Sequence, residues 1–402
     1  MAAYLSEWLS LIIRWFHVIA GVAWVGASFY FIWLDNHLRK PPEWKVKKGI
    51  KGDLWAVHGG GFYEVAKYEL GPEEMPPVLH WFKWEAYSTW LSGMALLFTV
   101  YYFGSPGYLV DASRADLTPL AAAAIGLGFI GGMLVLYEAL IRSPLARNGK
   151  AFGLVLFALL VAVDWTLFHI FAGRGAFIHV GAVIGTLMVG NVFLGIMPSQ
   201  RALVRAVENN ETPGPEVARL AAQAKLRSTH NNYLTLPIIF IMISNHYPMF
   251  YGHEYGWAVL AAIGFITAFA RHFFNLRHRG VYRPSILLIA AIMTVILIGV
   301  LAPSPTSVPA SPSGSDTEVT DADIQSLIDT HCTGCHAKVP SSPAFQAPPA
   351  GIAFDSLEAV KQHWEKVLQA AVNSQYMPLG NMTGMKPEER KMLGRWLQQP
   401  TQ

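Results

Sequence analysis

The chain has 402 residues, of which 52% are hydrophobic and 14% charged, with a formal net charge of +3 and a mean hydropathy of +0.32. A soluble globular protein carries about a quarter of its residues as charges, so an ordinary water-soluble enzyme is excluded, and nothing in the charge balance signals nucleic acid.

The excess apolarity is gathered into runs near residues 9–34, 84–103, 118–141, 151–171, 175–197, 232–250, 255–275 and 285–302. Each approaches the ~20 residues that carry a helix across a bilayer. The first run lacks a basic leader and a cleavage site and is expected to be a retained helix, not a signal peptide. The predicted fold class is all-α: a polytopic membrane bundle of eight transmembrane helices over 1–301, a flexible Pro/Ser-rich linker at 302–319, and a small soluble domain at 320–402.

Lysine and arginine set the orientation. The loop after the first run holds Arg39, Lys40, Lys45, Lys47, Lys48, Lys51, Lys67 and Lys83. Arg142, Arg147 and Lys150 follow the third run, and Arg201, Arg205, Arg219, Lys225 and Arg227 the fifth. Arg277, Arg279 and Arg283 follow the seventh, whereas the alternate loops hold only Arg114 and Arg174. The basic loops are expected in the cytoplasm, with both termini and the C-terminal domain outside, in the periplasm of a bacterial inner membrane.

Polar groups inside a bilayer are expensive, and their default reading is function. In this orientation His17, His169, His179 and His246 lie toward the outer side, and His58, His80, His230, His272 and His278 toward the cytoplasm. Two outer histidines facing each other would ligate a b-type haem through both axial positions; hydrogen bonds to neighbouring helices explain the same residues equally well. Gly21, one turn below His17, leaves room for a flat macrocycle, and "RWFHVIAGVAWVGASFYF" loosely resembles the first helix of the membrane protoporphyrinogen oxidase family, whose histidine binds haem. Asp164 and Asn191 lie in apolar surroundings, Asp164 as a proton acceptor or as a neutral, hydrogen-bonded carboxyl. Glu138 and Arg142 read as a surface pair four residues apart. Gly128-x3-Gly132 and Gly181-x3-Gly185 read as close-packing faces.

The stretch "APSPTSVPASPSGSDTEV", residues 302–319, cannot bury a core and reads as a tether. Beyond it, "DADIQSLIDTHC" predicts a helix capped by Thr320 or Asp321, and "KPEERKMLGRWL" a closing helix with Pro387 in its first turn and Met392, Leu393, Trp396 and Leu397 on one face. Between them, "DTHCTGCHAKV" at 329–339 holds both cysteines in a C-x-x-C-H pattern. That is the attachment signature of haem c: Cys332 and Cys335 would form the thioethers, and His336 would be the proximal iron ligand. A thioredoxin-like dithiol needs a βαβ setting, and a zinc site a second ligand pair; neither is present in the sequence. The sixth iron ligand is sought in "SQYMPLGNMTGMKPEER". Met377, stiffened by Pro378, is preferred over Met382 and Met385, and its surroundings resemble the M-P-x-G-N-x-T loop of small monohaem cytochromes c. An externally attached haem c agrees with the charge-derived orientation.

One segment is unlike generic membrane sequence: "STHNNYLTLPIIFIMISNHYPMF", residues 228–250, with His230, Asn231, Asn232, Tyr233 and Thr235 at one end and Ser244, Asn245, His246 and Tyr247 at the other. Together with "FHVIAGVAWVGASFYFIWLDNHL", "HGGGFYEVAKY" and "LHWFKWEAYSTWLSG", it resembles the membrane-bound, cytochrome c-linked urate oxidases, or urate hydroxylases. The resemblance runs through the whole chain. It implies oxidation of urate to 5-hydroxyisourate with water as oxygen source, and electrons passed to the haem c and on to a soluble cytochrome c or terminal oxidase. The expected catalytic candidates are His230, Asn231, Asn232, Tyr233, His80 and Glu85, with His230, His80 or Glu85 as general base; Arg271, His272, Trp81 and Trp84 are further candidates near the substrate. Asn231 and Asn232 as helix caps, and the tryptophans as headgroup anchors, are the plain alternative. A quinol-oxidising electron-transfer subunit without substrate chemistry is the alternative function. A cytoplasmic urate site would need electrons to cross most of a roughly 30 Å layer, which an outer haem b would divide.

Overall fold

The computed structural model describes residues 2–209, 211, 214–277, 280–302, 319–342 and 345–399; most of the expected tether, together with His278 and Arg279, lies outside the described residues. The chain is mostly helical. Helix α1 is Ala2–His37, α2 is Trp84–Leu96 continued by a π-helical stretch Leu97–Tyr102, α3 is Pro119–Arg142 and α4 is Gly149–Ile170. Helix α5, Gly173–Asn191, runs through a second π-helical stretch, Val192–Ile196, into α6, Met197–Glu208. Then come α7, Pro215–Ser244; α8, Gly256–Arg277; and α9, Ser285–Val300. The C-terminal part is framed by α10, Asp321–His331, and α11, Pro387–Leu397.

Five helices among the described residues are long and apolar enough to cross a membrane: α1, α3, α4, α5 with its continuation, and α8; α9 is a shorter apolar helix. Their ends are chemically marked. Thr118 caps α3 by accepting from the Ala121 N–H at 3.2 Å, with Pro119 at the first helical position. Asn148 caps α4 through the Ala151 N–H at 3.1 Å. Leu11, Ile12, Trp15, Phe16, Val18, Ile19 and Val22 on α1 are all more than half exposed, an apolar surface that suits lipid rather than water.

Helix α5 is the centre of the bundle, and its small residues explain why. At Gly181 an added Cβ would lie 2.8 Å from Ile241 and at Gly190 2.6 Å from Leu134, so α7 and α3 approach the α5 backbone closely. The Gly181/Gly185 face packs as expected. Gly128 and Gly132 do not: a Cβ added at either would meet nothing within 4 Å, and both are exposed on α3. The core around α5 includes Ile130, Met133, Tyr137, Phe152, Leu160, Val163, Phe177, Val183, Leu187 and Ile241.

Two expectations need correction. A two-stranded antiparallel sheet interrupts the all-α pattern: β1, Ile50–His58, pairs with β2, Gly61–Tyr68, in a register placing Val57 opposite Phe62. Gly59 and Gly60, at φ +56° and +81°, supply the two left-handed residues of its tight turn. The buried Lys45 ammonium is held between Asp53 of β1 and Glu64 of β2, hydrogen bonds that push its pKa up. The second correction concerns 232–250: α7 begins at Pro215 and ends at Ser244, so residues read as loop are helix, and Arg227 lies inside it, 1% exposed.

Candidate active site

The polar end of 228–250 folds into a hydrogen-bonded layer across α3, α5, α7 and α8. Arg227 donates to Glu138 at 2.5 and 2.9 Å and to Asn191 Oδ1 at 3.1 Å. Glu138 is therefore no plain surface partner of Arg142, which it meets at 3.2 Å; its main partner is a buried guanidinium four helices later in the chain. Asn191 Nδ2 donates to Asn231 Oδ1 at 2.8 Å, and Asn231 Nδ2 to the Met188 carbonyl at 2.9 Å. The Arg271 Nε donates to Asn232 Oδ1 at 2.9 Å. The two asparagines thus tie helices together and do not cap one; the Asn232 Nδ2 is left without a partner.

His230 and Tyr233 look the other way. The Tyr137 hydroxyl and His230 Nδ1 share a hydrogen bond of 2.7 Å, and the imidazole stacks on Phe152 with ring centres 4.6 Å apart. Tyr233 and His272 Nδ1 share one of 2.6 Å. His230, Tyr233 and His272 all line a cavity of about 1020 Å³ between α4, α5, α7 and α8. Arg147, Lys150 and Lys225 border it where the basic loops lie. Farther in, its wall is Leu160, Val180, Ile184, Pro237, Ile241 and Leu260, with Asp164 among them. Pro237 inside α7 has no N–H to give, which releases the Tyr233 carbonyl from the helical ladder beside the cavity. Asp164 is 2% exposed, and neither carboxyl oxygen has a hydrogen-bond partner.

His80 and Glu85 stand apart from this wall. They face each other at 3.7 Å, with His80 exposed and Glu85 half buried at the start of α2, and neither borders the cavity. The four outer histidines have the following surroundings. His17 Nδ1 bonds to the Thr89 carbonyl and the Ser92 hydroxyl at 3.0 Å each, its ring packed on Gly93. His179 bonds to the Gly175 carbonyl at 2.7 Å and the Tyr102 hydroxyl at 3.0 Å. His169 bonds back to the Trp165 carbonyl, and His246 is exposed at the end of α7. Gly21 packs toward Thr89 at 3.9 Å. Helix-to-helix hydrogen bonding is what this geometry displays at His17 and His179.

In the C-terminal part, Thr320 and Asp323 form the reciprocal cap of α10, which resolves the Thr320/Asp321 alternative. Ile324, Leu327, Ile328, Phe354, Val360, Leu393, Trp396 and Leu397 make one core. Cys332, Cys335 and His336 follow α10 directly, and burial pushes the Cys332 thiol up to about 12. His336 Nδ1 donates to the Ile352 carbonyl at 2.8 Å, which fixes the ring and reserves Nε2 for a ligand. Across this core, Met377 is partly buried, Met385 is in the core and Met382 is half exposed. The Met377 loop is clamped by Arg390, which donates to the Met377 carbonyl at 2.6 Å and to Asn381 Oδ1 at 3.2 Å. Two thiols, a ring-fixed imidazole and a thioether on a rigid loop are the donor set that a covalently held haem requires.

The same loop touches the bundle. An added Cβ at Gly107 would sit 2.8 Å from the Leu379 carbonyl, and one at Gly380 2.5 Å from that of Val110. The rings of Tyr376 and Tyr251 are 6.1 Å apart. The structure brings His230 and Tyr233 to the wall of one cavity; the sequence pattern singles out Glu138 only as a surface partner of Arg142 and Arg227 only as a loop charge, and gives no sign of Tyr137.

A family model described as "Urate oxidase N-terminal" matches residues 3–302. No curated protein and no solved structure matches the chain.

Proposed function

The chain belongs to the urate oxidase N-terminal family, and from that membership we propose that it is an integral-membrane enzyme that converts urate to 5-hydroxyisourate, taking the oxygen from water and passing two electrons, one at a time, through a haem c in its own C-terminal domain to an acceptor beyond. The observation that carries the proposal is the cavity: one wall presents His230, Tyr233 and His272, and its border presents Arg147, Lys150 and Lys225. Urate is a planar anion near neutral pH. The cations draw it in, aromatic and imidazole rings give it a flat contact, and the hydroxyl and ring nitrogens orient its polar edges.

His230 is the preferred base. Its Nδ1 is committed to Tyr137 at 2.7 Å and its ring is fixed by Phe152, so one orientation is held ready; with Nδ1–H donating to the Tyr137 hydroxyl, Nε2 is the free base. It would accept the proton released as water adds to the ring. Asn231, Asn232 and Arg227 support this wall from behind. A haem held by Cys332, Cys335, His336 and Met377 would supply the one-electron acceptor. Contact of the Met377 loop with residues 107–110 and with Tyr251 supports an outward route for the electrons.

The proposed setting is a bacterial inner membrane, spanned eight times once α2 with its π-helical end, the apolar half of α7, and α9 are counted. The acceptor downstream is a soluble cytochrome c or a terminal oxidase. The apolar inner wall of the cavity would also take a quinol, which keeps the electron-transfer reading as the alternative. Turnover in heavy-oxygen water separates them: the label enters 5-hydroxyisourate without consumption of O₂ if the proposal holds, and label arriving from O₂, or no product at all, overturns it.

A further inference from the structure

Several buried side chains in the bundle leave one polar atom without a partner, among them Arg227 Nε and Asn232 Nδ2, but Asp164 alone among the described residues leaves both of its carboxyl oxygens so. Its carboxyl is 2% exposed, both oxygens lack a partner, and it borders the cavity among Leu160, Val180, Ile184, Ile241 and Leu260. A buried polar group without a partner is costly, and a native bundle retains few of them. Here the carboxyl faces space large enough for a ligand, so the missing partner has somewhere to come from. Along α4, Asp164 lies fourteen residues beyond Lys150 at the cavity's border, about 21 Å at 1.5 Å per residue.

We propose that Asp164 anchors the substrate, its carboxyl pairing edge-on with an adjacent N–H and C=O of the six-membered ring of urate. This rests on the urate reading above and adds the group that recognises the ring. In its acid form a carboxyl places a donor and an acceptor side by side, the complement of a lactam edge, and its O–H makes a charge-assisted bond to an anionic ligand without adding a second negative charge. The cationic border then gathers the anion, and Asp164 selects it by pattern. Asp164 also stands in the outer part of α4, and Val180 beside it in the cavity wall follows His179 in sequence. A ring held there has only the remaining fraction of a roughly 30 Å layer between itself and the outer rim, and no relay haem is needed to divide the distance.

The test is urate affinity of the detergent-purified full-length protein by equilibrium dialysis, with a thermal melt of each variant. Asp164→Asn keeps a donor and an acceptor in the same shape and is expected to bind urate within about threefold of wild type, whereas Asp164→Leu is expected to bind at least about tenfold more weakly while melting no lower than wild type. A dimethylurate blocked at both nitrogens of the six-membered ring should bind wild type weakly and lose nothing further in Asp164→Leu. Unchanged urate affinity in Asp164→Leu overturns the assignment. Equal loss in Asp164→Asn and Asp164→Leu overturns it too, since a paired donor and acceptor would then not be what matters. Wild type that fails to bind urate removes the proposed function itself, and this assignment with it; binding by wild type with no loss in Asp164→Leu removes the assignment alone.

Discussion

Replacing Arg227 by Met removes a cation that is 1% exposed while keeping most of its volume. Glu138 then loses hydrogen bonds of 2.5 and 2.9 Å and keeps only Arg142 at 3.2 Å, and Asn191 loses a donor at 3.1 Å. Removing one partner of a buried ion pair costs about 3–5 kcal/mol, because the other charge is left uncompensated. The Glu138 side chain is 13% exposed and retains one arginine, which points to the lower end, about 3 kcal/mol. At about 2–4 °C per kcal/mol for a domain of a few hundred residues, the melting temperature should fall by about 6–12 °C. The assay is a thermal melt by tryptophan fluorescence in detergent, run as a cycle of Arg227→Met, Glu138→Gln and the double variant. The double variant leaves no orphaned charge and should melt above Arg227→Met. Gly195→Ala should reproduce much of the loss, since its Cβ would fall 2.2 Å from Arg227 Cδ. The reasoning is refuted if Arg227→Met melts with wild type, or if the two single losses simply add.

Other outcomes follow from the C-terminal domain. Hydrogen bonds from Thr320 hold the Asp323 carboxyl below its ordinary range, and the Lys386 N–H does the same for Glu389. With folded values depressed, the unfolded chain binds more protons, so this stability is fully present above the ordinary carboxylate range of about 4 and is lost as pH falls through the lower folded values. The domain should melt at a constant temperature from neutral pH down to about 5 and progressively lower below about 4, with a shallower fall in Asp323→Asn. Met377→Ala should abolish the spectroscopic signature of thioether ligation and lower the haem potential, while Met382→Ala should leave both unchanged; the reverse pattern would move the ligand to Met382.

The long apolar helices were legible because each is written locally, in an apolar run; the C-x-x-C-H pattern is just as local, five residues on end. The hairpin was legible in principle: Gly59-Gly60 between two runs of β-forming residues is a turn signal, but hydropathy, which averages over a helix length, erases an eight-residue alternation. Arg227 was read as a loop charge because its neighbours Lys225 and Ser228 are polar; that it lies inside a helix, against Glu138 from another, is a tertiary fact with no local trace. The asparagines read in sequence as catalytic candidates or as helix caps; their bonds to Asn191, Met188 and Arg271 tie helices together, a role that depends on neighbours far away in the chain. Asp164 was visible as a lone acid in an apolar run, while the cavity it faces exists only once α4, α5, α7 and α8 come together.

The measurement closest to the central claim is an anaerobic optical spectrum of the detergent-purified protein before and after urate is added. Urate alone is expected to bring up the reduced c-type α-band. A haem that stays oxidised with urate and is reduced by a quinol would contradict it and leave the electron-transfer function in its place.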